Sequence, residues 1–476
     1  MSRSSSFRAA AALSLVLALA PACSEDEVRS LVVSITTDLP ALELSTRTRI
    51  DLFTDAGSWF DTRDVDTSDP KAFPVSFGVA RGSIVRARIR IYPGAHTVPF
   101  ATVSNRRLVR EGVDRTPATE PEPSLAIDRL VRIDTQAIAE DHVGVYLVGA
   151  CAGTPANLTS WESCIAKEKT REALSAPIAT PPSPSELREP CTQAESAAAH
   201  VCIPGGVFVL GDHRDDIDYP PEEFLSPRTE RLARVRKFWI DRTEFTVARY
   251  RAALARGFKP KEVAPAENDG PFKPLPTSPK ACTFSAAPQG RESFALSCTS
   301  WVTFRALCQF EGGDLPTEAQ WEYVARSAGN VRERRYPWGD NEPTCDLALF
   351  GRTSGTGCPT APWPSELAVE DASHAPTFPT DTTSLGVLGL AGSLSEFVLD
   401  SVAEYTDECW ANASWDGLTC TGPYPDPRTA TDPALRRVAR GGSWIAPGPF
   451  VRGSTRIRAA LASPFYGARC AYATQP

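Results

Sequence analysis

Cysteines fall along this chain in close pairs, and that placement constrains the fold and its compartment before any other feature is read. The 476 residues hold 13 cysteines. Ten have a near neighbour: Cys151 with Cys164, Cys191 with Cys202, Cys282 with Cys298, Cys345 with Cys358, and Cys409 with Cys420. Cys308 and Cys470 are left over, far apart, and Cys23 ends an apolar leader. The even set beyond that leader suits disulfides in an oxidising compartment. Spacing alone leaves their connectivity open.

In the leader, Arg3 and Arg8 precede an apolar run from Ala9 to Ala20, too short for a stop-transfer span. It ends in "LALAPAC", which resembles a bacterial lipobox with Cys23 as the lipidated residue, although Ala20 stands where leucine is usual. Ordinary cleavage after Ala20-Pro21-Ala22 is the rival reading. Setting Cys23 aside as an anchor makes the cysteine count even, which favours the lipoprotein. Both readings imply export; the lipoprotein reading adds membrane contact through a lipid anchor only, at the periplasmic or surface face of a bacterial envelope.

Hydrophobic content of 42% and charged content of 23% are those of a soluble globular protein. A net charge of −8, with no basic stripe bearing interleaved aromatics, argues against nucleic acid as a partner. Forty-two prolines and one methionine suggest a loop-rich chain. The expected plan is a signal peptide over 1–22, a tether over 23–30, a β-sandwich over 31–164, a Pro/Ala-rich linker over 165–200 and a second domain over 201–476.

Period-two patterning supports the sandwich. In "IVRARIRIY", Val85, Ala87, Ile89 and Ile91 point one way and Arg86, Arg88 and Arg90 the other. The arginine side reads most simply as an exposed face. Several short strands over this span predict an immunoglobulin-like sandwich. His96 and His142 stand isolated there and suggest no chemistry.

Further on, Thr246 is expected to cap a helix in "RTEFTVARYRAAL", and Ser300 another that ends at Gly312-Gly313. Thr317 and Gln320 form a capping box. Trp321, Val324, Ala325 and Ala328 then share one face of the helix that follows, which predicts packing on a core.

Taken in order, "IPGGVFVLGD", "FWIDRTEFT", "GGDLPTEAQWEYVAR", "YPWGD", "GLAGSLSEFVLD", "RGGSW" and "YGARCAYA" resemble the formylglycine-generating enzyme (sulfatase-modifying factor) family over residues 202–474. The resemblance implies an α+β, C-type-lectin-like domain. It also implies that Cys470 pairs with Cys308. Active members carry two cysteines after the "RGGSW" element that bind copper(I) and oxidise a substrate cysteine. Here Ala446 stands at the first position and Val451 near the second, so no catalytic residue is assigned and no copper is expected.

Calcium is the remaining candidate cofactor. The resemblance places it on Glu396 with the carbonyls of Gly392 and Leu394, and at a second site on Asp346 and the carbonyl of Leu347. The upstream ligand position is Gly389, which offers no side-chain oxygen. The competing reading is that Glu396 caps a helix or pairs with an arginine. The five histidines are scattered, without the clustering that iron-using relatives of this fold need. Three functions follow: a non-catalytic binding or assembly module for an envelope protein, peptide or glycan, a divergent formylglycine-type oxidase, or a structural envelope lipoprotein.

Overall fold

The structure, a computed structural model, describes residues 30–39, 46–68, 74–100, 108–165, 171–178, 189–192, 199–215, 223–262, 264–269, 281–330, 333–352, 380–405, 436–459 and 462–476, with Leu44, Ile217 and Cys358 singly. Cys23 and the Cys409–Cys420 pair lie outside the described residues.

The N-terminal lobe is two sheets face to face. Strand β1 (Ser30–Thr37) lies between β4 (Val75–Ala80), antiparallel, and β7 (His142–Leu147), parallel. The second sheet runs β6 (Ile127–Asp134), β5 (Ile84–Tyr92), β2 (Arg47–Thr54), β3 (Trp59–Asp66), all antiparallel. Alternate residues of each strand, among them Ile35, Ile50, Phe77, Ile89 and Val145, meet between the sheets. This is what a period of two demands when one face is dry.

The other face of the second sheet departs from the sequence expectation. Arg88 and Arg90 are buried, not solvated. Each has an acid as one of its two direct cross-strand neighbours, Asp51 opposite Arg88 and Asp128 opposite Arg90. Arg90 donates to both oxygens of Asp128 at 2.8 Å and also pairs with Glu120, while Arg88 Nε donates to Asp51 at 2.8 Å. Burial would raise the Asp51 carboxyl, yet Arg88 and Arg49 hold it at about 2. The loop closed by Cys151–Cys164 lays Ala156 and Leu158 on this face beside Phe53 and Leu130. A buried charge is tolerated only when it is paired, and here the strand register supplies the partners.

The C-terminal lobe is mixed, with short strands and few helices. Hairpin β9 (Gly206–Leu210) and β10 (Arg231–Val235) joins the lobes. Val207, Val209 and Leu232 enter the N-terminal core, while Phe208, Leu210, Ala233 and Val235 enter the second core. The run "GVFVL" is therefore apolar throughout because both of its faces are covered.

Beyond it, β8 (His200–Ile203), β11 (Phe238–Asp241) and β16 (Ala471–Tyr472) form one sheet. The short strand Phe224–Leu225, β14 (Arg456–Ala459), β13 (Arg437–Arg440), β12 (Ser395–Ser401) and β15 (Tyr466–Gly467) form another.

Helices α1 (Val247–Ala255), α2 (Trp301–Phe310) and α3 (Glu318–Arg326) start where their caps stand. The hydroxyls of Thr246, Ser300 and Thr317 accept from Arg249, Thr303 and Gln320 N–H, and Gln320 closes the capping box. Gly312, at φ +88°, provides the left-handed turn that ends α2. Disulfides join Cys151–Cys164, Cys191–Cys202, Cys282–Cys298, Cys345–Cys358 and Cys308–Cys470.

Candidate functional site

Strand β13 delivers Arg440 and then turns through Gly441 and Gly442, at φ +87° and +69°. A Cβ on Gly441 would lie 2.5 Å from the Leu390 carbonyl oxygen, so only glycine fits. The turn buries Trp444 beside Leu349 and Leu394, with its Nε1–H donating to the Pro464 carbonyl at 3.3 Å.

Ala446 and Val451 converge just beyond. A Cβ built on Gly442 would lie 2.9 Å from Val451 Cγ1 and 3.4 Å from Ala446 Cβ. The two positions that the resemblance assigns to copper-binding thiolates are thus neighbours across one glycine, and both are aliphatic. They sit in an apolar cluster with Tyr336, Ala348, Phe350, Ala391 and the Cys345–Cys358 disulfide. Every cysteine among the described residues is in a disulfide. The described residues here do not fit copper(I), which needs soft, deprotonated sulfur.

Glu396 lies on β12, wholly buried. Arg469 Nη2 donates to its Oε1 at 2.6 Å, Arg469 Nε to its Oε2 at 2.7 Å, and Trp321 Nε1 to its Oε2 at 2.8 Å. The same guanidinium donates to the carbonyls of Leu388 and Gly389 at 2.9 Å. Of the two readings of Glu396, the geometry is that of the arginine pair. A calcium ion on this carboxylate would have to displace a cation already seated on it, so the residues as arranged do not fit one. At the second place, Asp346 is exposed, and the Leu347 carbonyl accepts the Thr380 hydroxyl at 2.9 Å.

Two further acids crowd Arg469. Glu244 accepts the Ser393 hydroxyl at 2.8 Å and the Leu394 N–H at 3.0 Å. Burial, and then the charge of Glu396, push it up to about 8. Asp381 accepts the Ala391 N–H at 2.9 Å, and burial raises it to about 7. Burial thus outweighs the Arg469 guanidinium, which by itself favours the charged form of both acids.

Helix α3 carries a second buried network, on Glu318, Glu322 and Arg326. Glu322 accepts from Arg326 at 2.6 Å, from the Tyr405 hydroxyl at 3.2 Å, from Gly211 N–H at 2.9 Å and from Arg440. Glu318 receives Arg456 in a two-pronged contact at 2.6 and 3.0 Å. These pairs fix the helix against β13 and β14, and so hold the Gly441 turn in place. The sequence reading missed them, because acids and an arginine four residues apart ordinarily mark a solvated helix face.

Known proteins agree with the motif order. The sulfatase-modifying factor enzyme 1-like domain matches residues 186–474. The chain is 29% identical over 296 residues to a formylglycine-generating enzyme of Streptomyces coelicolor, covering 56% of this chain and 85% of that one. It is 26% identical over 270 residues to a hercynine oxygenase of Mycolicibacterium smegmatis, covering 53% of this chain and 56% of the relative. Among solved structures, Treponema denticola variable protein 1 aligns at 15% identity and a TM-score of 0.35, over 58% of this chain and 95% of that one. With its motifs in order and matched over more than half its length, the chain belongs to the sulfatase-modifying factor enzyme 1-like family.

Proposed function

We propose that this is an exported, lipid-anchored envelope protein whose family domain works as a non-catalytic binding or assembly module. The observation that carries this reading is the replacement of the thiolate pair by Ala446 and Val451 inside an apolar cluster. An aliphatic pair can neither hold a soft metal nor exchange with a substrate thiol. The occupant proposed is an envelope protein, peptide or glycan. We take the C-terminal lobe as C-type-lectin-like for its short strands and sparse helices. We take the N-terminal lobe as immunoglobulin-like for its two facing sheets and the parallel pairing of β1 with β7.

The relatives named formylglycine-generating enzyme and hercynine oxygenase favour a second reading, a divergent oxidase. Incubating the full chain with copper, oxygen, reductant and a cysteine-containing sulfatase peptide, then weighing the peptide, separates the two. The expected result is an unchanged peptide mass. A loss equal to thiol-to-aldehyde conversion, above a control without protein, establishes the oxidase instead.

The anchor has its own test. Cys23→Ser is expected to move the protein from the membrane fraction to the soluble fraction, because an acyl chain contributes about 0.8 kcal/mol per buried CH₂. An unchanged membrane fraction would remove the lipoprotein assignment.

A further inference from the structure

Two histidines meet where the lobes join, His96 from the N-terminal lobe and His213 directly after the "IPGGVFVLGD" motif. His96 follows β5 in the N-terminal lobe, where its N–H donates to the Pro93 carbonyl at 3.0 Å and its carbonyl accepts from Glu122 N–H at 3.3 Å. His213 follows β9, and Glu230 immediately precedes β10, so both hang from the hairpin that bridges the lobes. The imidazole rings are 4.3 Å apart between centroids. One ligand atom from each of His96, His213 and Glu230 lies within 4.8 Å of the other two. His96 is therefore not isolated, contrary to the sequence reading.

Glu230 is buried, and its Oε1 accepts from both the N–H and Nδ1 of His213, at 2.7 and 2.8 Å. Its Oε2 stands 2.6 Å from His96 Nδ1, so one buried carboxylate faces both imidazoles. The surroundings are anionic as well. His96 lies in the field of three acids, Glu230, Glu333 and Glu122. His213 is exposed at 38% of its side chain, which leaves a side open for entry and for a water ligand.

We propose that His96, His213 and Glu230 form a binding site for one divalent transition-metal ion of the zinc class, which clips the N-terminal lobe to the C-terminal lobe. Two imidazole nitrogens with one carboxylate are a borderline donor set, suited to Zn²⁺, Co²⁺ or Ni²⁺ rather than to calcium, which needs six or more oxygens. Tetrahedral zinc places its ligand atoms about 3.3 Å apart, and the three here already lie within 4.8 Å of one another. The ion would offset the local negative charge and take the place of a proton shared between His96 and Glu230.

The test uses the full chain, stripped with chelator and then titrated with Zn²⁺ against a chromophoric competitor, and separately with Co²⁺. One equivalent of zinc should bind, with visible Co²⁺ bands of four-coordinate intensity. His213→Ala changes an exposed side chain and should leave the fold intact, as far-ultraviolet circular dichroism would show. It should weaken zinc binding at least 10-fold, as should His96→Ala. Excess Ca²⁺ or Mg²⁺ should not compete. No saturable binding by the unmodified chain would mean that the three residues are an ion-paired clamp only. Binding of equal strength in both variants would place the ion elsewhere. Either result overturns the proposal.

Discussion

Glu322→Gln is expected to destabilise the protein by about 3–5 kcal/mol, the range for removing one partner of a fully buried ion pair. The glutamate and both arginines it serves, Arg326 and Arg440, have no solvent exposure. Arg326 would keep Asp212, at 3.0 Å, and the Gly211 carbonyl, at 2.6 Å. Arg440 would keep the Ser454 and Thr455 carbonyls, with Glu318 only at 3.7 Å. Its positive charge would then lack a close counter-charge in a dry site. At roughly 2–4 °C per kcal/mol for a domain of this size, the midpoint of thermal unfolding should fall by about 10 °C. Glu404→Gln is the control, because Glu404 pairs with Arg458 at 2.7 Å but its side chain is 40% exposed. Exposed pairs contribute less than about 1 kcal/mol. Urea unfolding of the two variants decides the matter, and equal losses would show that burial does not set the worth of these pairs.

What could be read from the residues alone follows a physical division. Local signals were legible. Thr246, Ser300 and Thr317 cap their helices because a hydroxyl next to free N–H groups needs no distant partner. The alternation in β5 identified which residues share a face. It could not say whether another layer covers the arginine side, and a loop held by Cys151–Cys164 does so. The same limit applies to α3. Its apolar face was evident, while the burial of Glu318, Glu322 and Arg326 depends on Arg440 and Arg456, more than a hundred residues later. His96 looked isolated for the same reason, since His213 and Glu230 reach it only through the bridging hairpin. At the candidate site, motif order located Ala446 and Val451, and the structure adds that both lean on Gly442. Charges and ligands assembled from distant segments leave no periodic trace, so tertiary contact alone reveals them.

Replacing both Cys308 and Cys470 by alanine is expected to cost about 5 kcal/mol. The bridge closes a loop of 162 residues, and the loop-entropy relation gives roughly that value for such a length. The Cys345–Cys358 bridge spans 13 residues and should contribute only about 3 kcal/mol. Geometry adds to the difference. Cys308 sits on α2 among Phe304 and Leu307, and Cys470 leads into β16, with its N–H donating to Asp241 at 2.8 Å. Cutting this link loosens the last strand from α2 and, with it, the neighbouring Arg469 that neutralises Glu396. The double cysteine variant and Glu396→Gln therefore act on one unit, and combined they should cost less than the two losses added together, as residues sharing a network do. Urea unfolding of the three variants measures this. Thiol titration of the unmodified, denatured and unreduced protein supplies the baseline, with no free thiol expected. Strict additivity would mean that the disulfide and the Arg469–Glu396 pair stabilise separate parts of the lobe. A free thiol at Cys308 or Cys470 would remove the bridge and reopen a redox role for the domain.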